Sequence, residues 1–176
     1  MTRIFLDTGP LRGVVWEHDK YHAACAAFFS QHPLEREPYF VCDTVKSEVA
    51  GFLRRLEALP LDYEGRRQVK NMRKTITAYL AVMERLNYAE DGGYEELVAR
   101  LHEGLKTKNS GGKEPNQEND AKIVAHALIC AYRGGGAILA TVDARDIGDN
   151  ERLFNTIFAE VAGADADGVL TVRCLI

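Results

Sequence analysis

Four acidic residues stand where a carboxylate could do chemistry. Asp7 closes the apolar run of "IFLDTGPL" and Asp143 closes "ILATVD". Glu48 lies in "CDTVKSEVAGF" and Asp120 in "NQENDAKIVAHAL", each near the start of a stretch with helical period. A buried strand that ends on an acid either caps the next helix or delivers the carboxylate to a site, and one such acid decides nothing. Capping alone contributes roughly 0.3 to 1 kcal/mol through the helix dipole. Spacing adds that Asp120 shares a helical face with Ile123, Val124, Ala127, Leu128 and Ala131, the face that must pack on a sheet. Glu48 likewise shares a face with Val45, Phe52 and Leu56.

The elements that must position these acids follow from the apolar pattern. Short apolar runs at Ile4 to Leu6, Tyr39 to Cys42, Ala137 to Thr141 and Val169 to Arg173 predict strands, with "LNYA" at 86 to 89 a candidate fifth. Helical stretches separate them, and such alternation predicts βαβ units around a parallel sheet of four or five strands covered on both faces. Thr8, Gly9 and Pro10 read as a turn after the first strand. Two helices over about 44 to 85 should pack as a hairpin, one on Val45, Val49, Phe52 and Leu56, the other on Val69, Met72, Ile76, Tyr79, Leu80 and Met83. A third spans about Tyr94 to Leu105, and "TKNSGGKEPNQ" at 107 to 117 reads as a mobile loop. A further helix over Asn119 to Arg133 ends in Gly134, Gly135 and Gly136, a C-cap in a place where a phosphate cradle would not be.

In a parallel sheet the C-terminal ends of strands and the N-terminal ends of the following helices share one edge, the ligand-binding edge of open α/β folds. All four acids converge there. Two carboxylates about 5 Å apart repel by roughly 3 kcal/mol at an effective dielectric near 20, so the cluster must protonate or hold a cation. An all-oxygen donor set suits Mg²⁺ or Mn²⁺ rather than zinc. His18 and His22 have i, i+4 spacing in the polar "EHDKYH" but no accompanying carboxylate motif. With no Ser or Cys nucleophile constellation, such an ion would activate water against a phosphodiester. An aspartyl-phosphate mechanism of the haloacid dehalogenase type would want a second Asp where Gly9 stands.

The four motifs "IFLDTGPL", "TVKSEV", "NDAKIVAHAL" and "ILATVDARDI", in that order, resemble the acidic motifs of the PIN-domain ribonucleases, and especially of VapC-type toxins of toxin-antitoxin pairs. The resemblance runs from residue 1 to about 173. It implies a three-layer α/β/α fold with a central parallel sheet, and Mg²⁺- or Mn²⁺-dependent endonucleolytic cleavage of RNA. It assigns Asp7, Glu48, Asp120 and Asp143 as the catalytic and metal-binding quartet. Thr141 matches a hydroxyl residue two positions before the last acid, with Thr8 and Asp146 as accessory groups. A homodimer and a cognate antitoxin are further implications. The segment between Glu48 and Asp120 is longer than in a compact toxin, which leaves a non-toxin RNA-processing nuclease as an alternative; a catalytically inactive PIN-fold RNA-binding or scaffold module is another.

Composition sets the frame. The 176 residues are 46% hydrophobic and 27% charged, the range of one globular domain, and a chain of this length buries about 70% of its unfolded surface. No apolar run approaches the roughly 18 residues of a membrane span, and "MTRIFLD" lacks the order of a signal peptide. The expectation is a soluble, cytoplasmic protein. Cys25, Cys42, Cys130 and Cys174 are far apart in apolar stretches, as core thiols would be. The net charge of -4 hides a basic region: residues 54 to 74 hold seven Lys or Arg against three acids. Arg66, Lys70, Arg73 and Lys74 form a stripe along one predicted helix and are the candidate RNA-binding surface.

Overall fold

A computed structural model describes residues 1 to 108, 117 to 163 and 169 to 176. Five strands, β1 (Ile4–Leu6), β2 (Tyr39–Cys42), β3 (Glu84–Leu86), β4 (Ala137–Thr141) and β5 (Leu170–Cys174), form one sheet. All four pairings are parallel, in the order β3-β2-β1-β4-β5. Among the described residues seven α-helices flank it: α1 (Thr8–Val15), α2 (His22–Gln31), α3 (Asp43–Glu57), α4 (Tyr63–Val82), α5 (Tyr94–Lys108), α6 (Gln117–Gly134) and α7 (Glu151–Ala162).

The chain starts in the middle of the sheet, moves outward through β2 to β3, then crosses back over β1 to β4 and β5. Right-handed crossovers place the helices of the outward and return journeys on opposite faces. The packing agrees, since α1 contacts α2, α3 and α4, whereas α5, α6 and α7 contact one another. The result is the three-layer α/β/α arrangement. β1 and β2 are apolar and buried throughout because both their faces are covered, and Ile4, Phe5 and Leu6 are fully buried.

Three local results bear on the site. Thr8, Gly9 and Pro10 are not a turn but the first turn of α1. Proline is tolerated there because its amide would have no intrahelical partner. Gly9 answers a packing need, since a Cβ at this position would lie 2.2 Å from Val142 Cγ2, so α1 can start against the exit of β4 only without a side chain. The fifth strand lies at Glu84–Leu86, directly after the C-cap of α4, rather than at 86 to 89.

The helix pair packs as expected. Val45, Val49 and Phe52 of α3 and Val69, Met72 and Ile76 of α4 are buried, and Asp62 caps α4 by accepting from the Gly65 amide at 2.8 Å. Of the loop expected at 107 to 117, residues 109 to 116 lie outside the described residues, while Thr107 and Lys108 continue α5 and Gln117 opens α6. The glycines after α6 form its C-cap, with Gly135 at φ 73° and Gly136 at φ 118°. Cys25, Cys42 and Cys130 are buried free thiols, and Cys174 is half-buried. Among the described residues no helix is long and apolar enough to cross a membrane.

Candidate functional site

The direction of the chain reverses between β1 and β4, and Asp7 and Asp143 follow those two strands at their C-terminal ends. Such a switch point leaves a crevice between helices that depart to opposite faces. Glu48, in the second turn of α3, and Asp120, in the first turn of α6, come to the same edge from the two helical layers.

Hydrogen bonds knit Asp7, Glu48 and Asp143 into one chain across the edge. Asp7 Oδ1 accepts from the Thr8 amide at 2.5 Å and Oδ2 from the Thr141 hydroxyl at 2.7 Å. Thr141 Oγ1 in turn accepts from the Asp143 amide at 2.9 Å, and Asp143 Oδ1 accepts from the Asp146 amide at 2.8 Å. On the other side, the Thr8 hydroxyl donates to Glu48 Oε2 at 2.6 Å, and Asn119 Nδ2 donates to Glu48 Oε1 at 2.9 Å. Thr8, Thr141 and Asp146 therefore each hold or face an acid of the quartet, and Asp146 itself is buried. Asp7 is a helix cap and a member of the cluster at once.

Electrostatics shows that the acids act on one another. Asp120, half-buried, has its pKa raised to about 8, first by burial and then by the charges of Asp7, Asp143, Glu48 and Asp146. Asp7, only 7% exposed, is raised to about 6 by burial, with the bonds from Thr141 and Thr8 opposing and Glu48 and Asp143 adding to the rise. Both shifts mark carboxylates that lack sufficient counter-charge. The donors are all oxygen, which fits a hard divalent cation. Among the described residues, however, no three acids or other candidate ligands are drawn together as a metal-holding group.

Beside the acids opens a cavity of about 550 Å³ whose lining includes Thr8, Glu48 and Asn119 on one side and Arg12, Arg55 and Lys122 on others. Sequence reasoning missed Asn119, Arg12 and Arg55. Asn119 adjoins Asp120, and Arg12 stands four residues after Thr8 on the same face of α1, signals that gain meaning only once the edge is assembled. The basic stripe on α4 is elsewhere. Arg66, Lys70 and Arg73 line a different cavity with Leu61 and Val69, Arg73 is paired to Glu57 through two bonds of 2.8 Å, and Lys74 is exposed. The structure thus brings the four acids and their three accessory residues together, and leaves the α4 stripe apart from them.

A five-stranded parallel sheet in the order β3-β2-β1-β4-β5, helices on both faces and acids gathered at the switch point define a PIN-like α/β fold. Among solved structures the chain is similar to one described as VapBC2 from Rickettsia felis bound to a DNA fragment from their promoter, with a TM-score of 0.55, 13% sequence identity and coverage of 98% of both chains. No protein-family model matches the sequence, and neither does any curated protein.

Proposed function

We propose that this protein is a Mg²⁺- or Mn²⁺-dependent endoribonuclease acting as the toxin of a toxin-antitoxin pair. The observation that carries the reading is Asp120, a half-buried acid facing four other carboxylates and raised to about 8. Arg145 pairs with Asp146 at 3.2 Å, while Asp120 is raised by burial and by four carboxylates, the situation a bound cation would relieve. Asp7, Glu48, Asp120 and Asp143 would hold the cation. When bound, it would supply an activated water for attack on the phosphodiester and neutralise the charge of the departing oxygen.

The remaining groups prepare these acids. Thr141 fixes the Asp7 carboxylate and joins it to the Asp143 backbone. Thr8 and Asn119 each donate to one oxygen of Glu48 and fix its orientation. Asp120, raised to about 8, would give up its proton to help hold the cation. The likeness to a VapBC2 structure over 98% of both chains supports the toxin role over an unrelated RNA-processing nuclease, because the long Glu48 to Asp120 segment lies within that match. It also supports a protein partner of the antitoxin kind, and we include a homodimer and a cytoplasmic location in the proposal.

The test is cleavage of single-stranded RNA with and without Mn²⁺, for wild type and Asp7→Asn. The amide keeps the size of the side chain and removes one charge from the cluster. Cleavage that needs Mn²⁺ and vanishes in the variant, while the fold persists by circular dichroism, is the expected result. Cleavage retained by Asp7→Asn would overturn the assignment. Expression in cells with and without the neighbouring gene tests the toxin role, and mass determination in solution tests the dimer.

A further inference from the structure

The cavity beside the acids has features that the metal chemistry does not use. Arg12 extends from α1 into it with its guanidinium carbon 4.6 Å from the centre of the Phe52 ring. Phe52, itself buried on α3, is backed by Trp16, ring centres 5.9 Å apart. The guanidinium is therefore held in position by an aromatic surface rather than by a carboxylate. Its Nε is buried and has no hydrogen-bond partner among the described residues. An arginine fixed in place with an unused donor is arranged to take an anion. Arg55 and Lys122 supply two more positive charges around the same space, although Lys122 also pairs with Glu118 at 2.6 Å.

Gly51 is the second, independent observation. It lies in the interior of α3 and lines the cavity. Glycine there costs about 1 kcal/mol of helix stability relative to alanine. Packing does not require it, because the nearest atoms to a Cβ would be Arg55 Nη1 at 3.5 Å and Arg54 Nη2 at 4.0 Å. Both are the ends of flexible side chains. What a side chain at Gly51 would do is occupy the cavity and crowd the Arg55 guanidinium.

We propose that this cavity is the subsite for the RNA backbone flanking the bond that is cut, with Arg12 gripping a phosphate, Arg55 adding charge, and Gly51 keeping the space open. Thr8 and Arg12 lie one turn apart on α1, so the strand would pass from the phosphate on Arg12 directly to the carboxylates around Thr8. The inference rests on the nuclease reading and adds to it the residues that hold the substrate.

The experiment measures binding of a short single-stranded RNA by fluorescence anisotropy, with Ca²⁺ to block cleavage, across a range of salt. Arg12→Ala should bind at least about tenfold more weakly, with the slope of log Kobs against log[salt] reduced by roughly 0.7, the value for one phosphate contact on a single strand. Arg12→Lys should retain most of the slope and lose affinity, because it keeps the charge but not the planar fork. Gly51→Leu, chosen because it leaves the Phe52 stack untouched and replaces a poor helix former, should also bind at least about tenfold more weakly while melting no lower than wild type. RNA binding by the wild type that neither Arg12→Ala nor Gly51→Leu weakens would overturn this inference and leave the nuclease reading standing. Absence of any RNA binding by the wild type would overturn both.

Discussion

Replacing Asp120 by asparagine should make the metal-free protein more stable, by an amount that grows with pH. In the folded chain the Asp120 carboxyl titrates at about 8 against an ordinary value of 3.8. Between these values the folded state holds a proton that the unfolded state has released, so stability is fully present below about 4 and is lost as pH rises through about 8. Each unit of difference corresponds to about 1.4 kcal/mol, which puts a ceiling of roughly 6 kcal/mol on the penalty above pH 8. The realised figure is smaller, about 2 kcal/mol, because the group is partly open to screening water and because Asp7 can take up a proton in its place. The asparagine side chain bears no charge and escapes the penalty. At about 2 to 4 °C per kcal/mol for a chain of this size, the variant should melt roughly 4 to 8 °C above wild type at pH 8.5 and level with it at pH 4. Circular dichroism melts in EDTA across this range measure the difference. A pH-independent gap, or a variant less stable at pH 8.5, would show that the cluster does not load its charge on Asp120. Adding Mn²⁺ should reverse the order, because an ion bound only by the folded state stabilises by RT ln(1 + [L]/Kd) and the asparagine binds it less well.

Gly9→Ala should lower stability by about 1 to 3 kcal/mol and depress cleavage, because its Cβ would fall 2.2 Å from Val142 Cγ2 and push the start of α1, with Asp7 and Thr8, away from β4; wild-type chemical denaturation would refute that close fit. Thr141→Val should cost about 1 to 3 kcal/mol and weaken the Mn²⁺-induced rise in melting temperature, since it strips Asp7 and the Asp143 amide of a shared buried partner. Lys70→Ala combined with Lys74→Ala should lower the RNA salt slope by about 1.4 if the α4 stripe extends the track beyond the cavity, at about 0.7 per contact; an unchanged slope in anisotropy titrations would confine RNA to the cavity beside the acids.

The parts of the fold legible in the sequence are those whose burial is written into consecutive residues. β1, β2 and β4 are covered on both faces, so their apolar runs stop at the strand ends, and the pattern places β2 and β4 to the residue. β3 falls two residues from its expected position for the opposite reason. It is an edge strand in which Glu84 and Arg85 are exposed, so it has no apolar run, and the nearest one lies just beyond it. "TGP" misleads because glycine and proline carry a turn signal that is local, whereas Gly9 is needed for a contact with Val142, 133 positions further on. The acids are legible because strand ends and helix starts fall on one edge whatever the details of packing. Arg12, Arg55 and Asn119 are not, since nothing in their spacing says that α1, α3 and α6 meet around one cavity. The α4 stripe is the reverse case, set apart from the acids in the structure. Its charge density is plain in the sequence, but density does not say which way a helix faces.

An acid at a strand end need not choose between capping a helix and serving a site, and the difference between Asp7 and Asp120 explains how both roles coexist. Asp7 stands at a helix start where the Thr8 amide and the Thr141 hydroxyl each donate to it, and these bonds hold its pKa to about 6 despite nearly complete burial. Asp120 also lies in a first turn, yet it is raised by burial and by every carboxylate around it, to about 8. The capping bonds thus divide the charge of the cluster unevenly, favouring the charged form at Asp7 over Asp120. At the proposed metal site, a divalent ion would be bound in competition with protons on these acids, most of all on Asp120. Removing the bonds from the Thr8 amide and the Thr141 hydroxyl would raise Asp7 toward the range of Asp120, which is why Thr141 belongs to the site as much as the acid it touches.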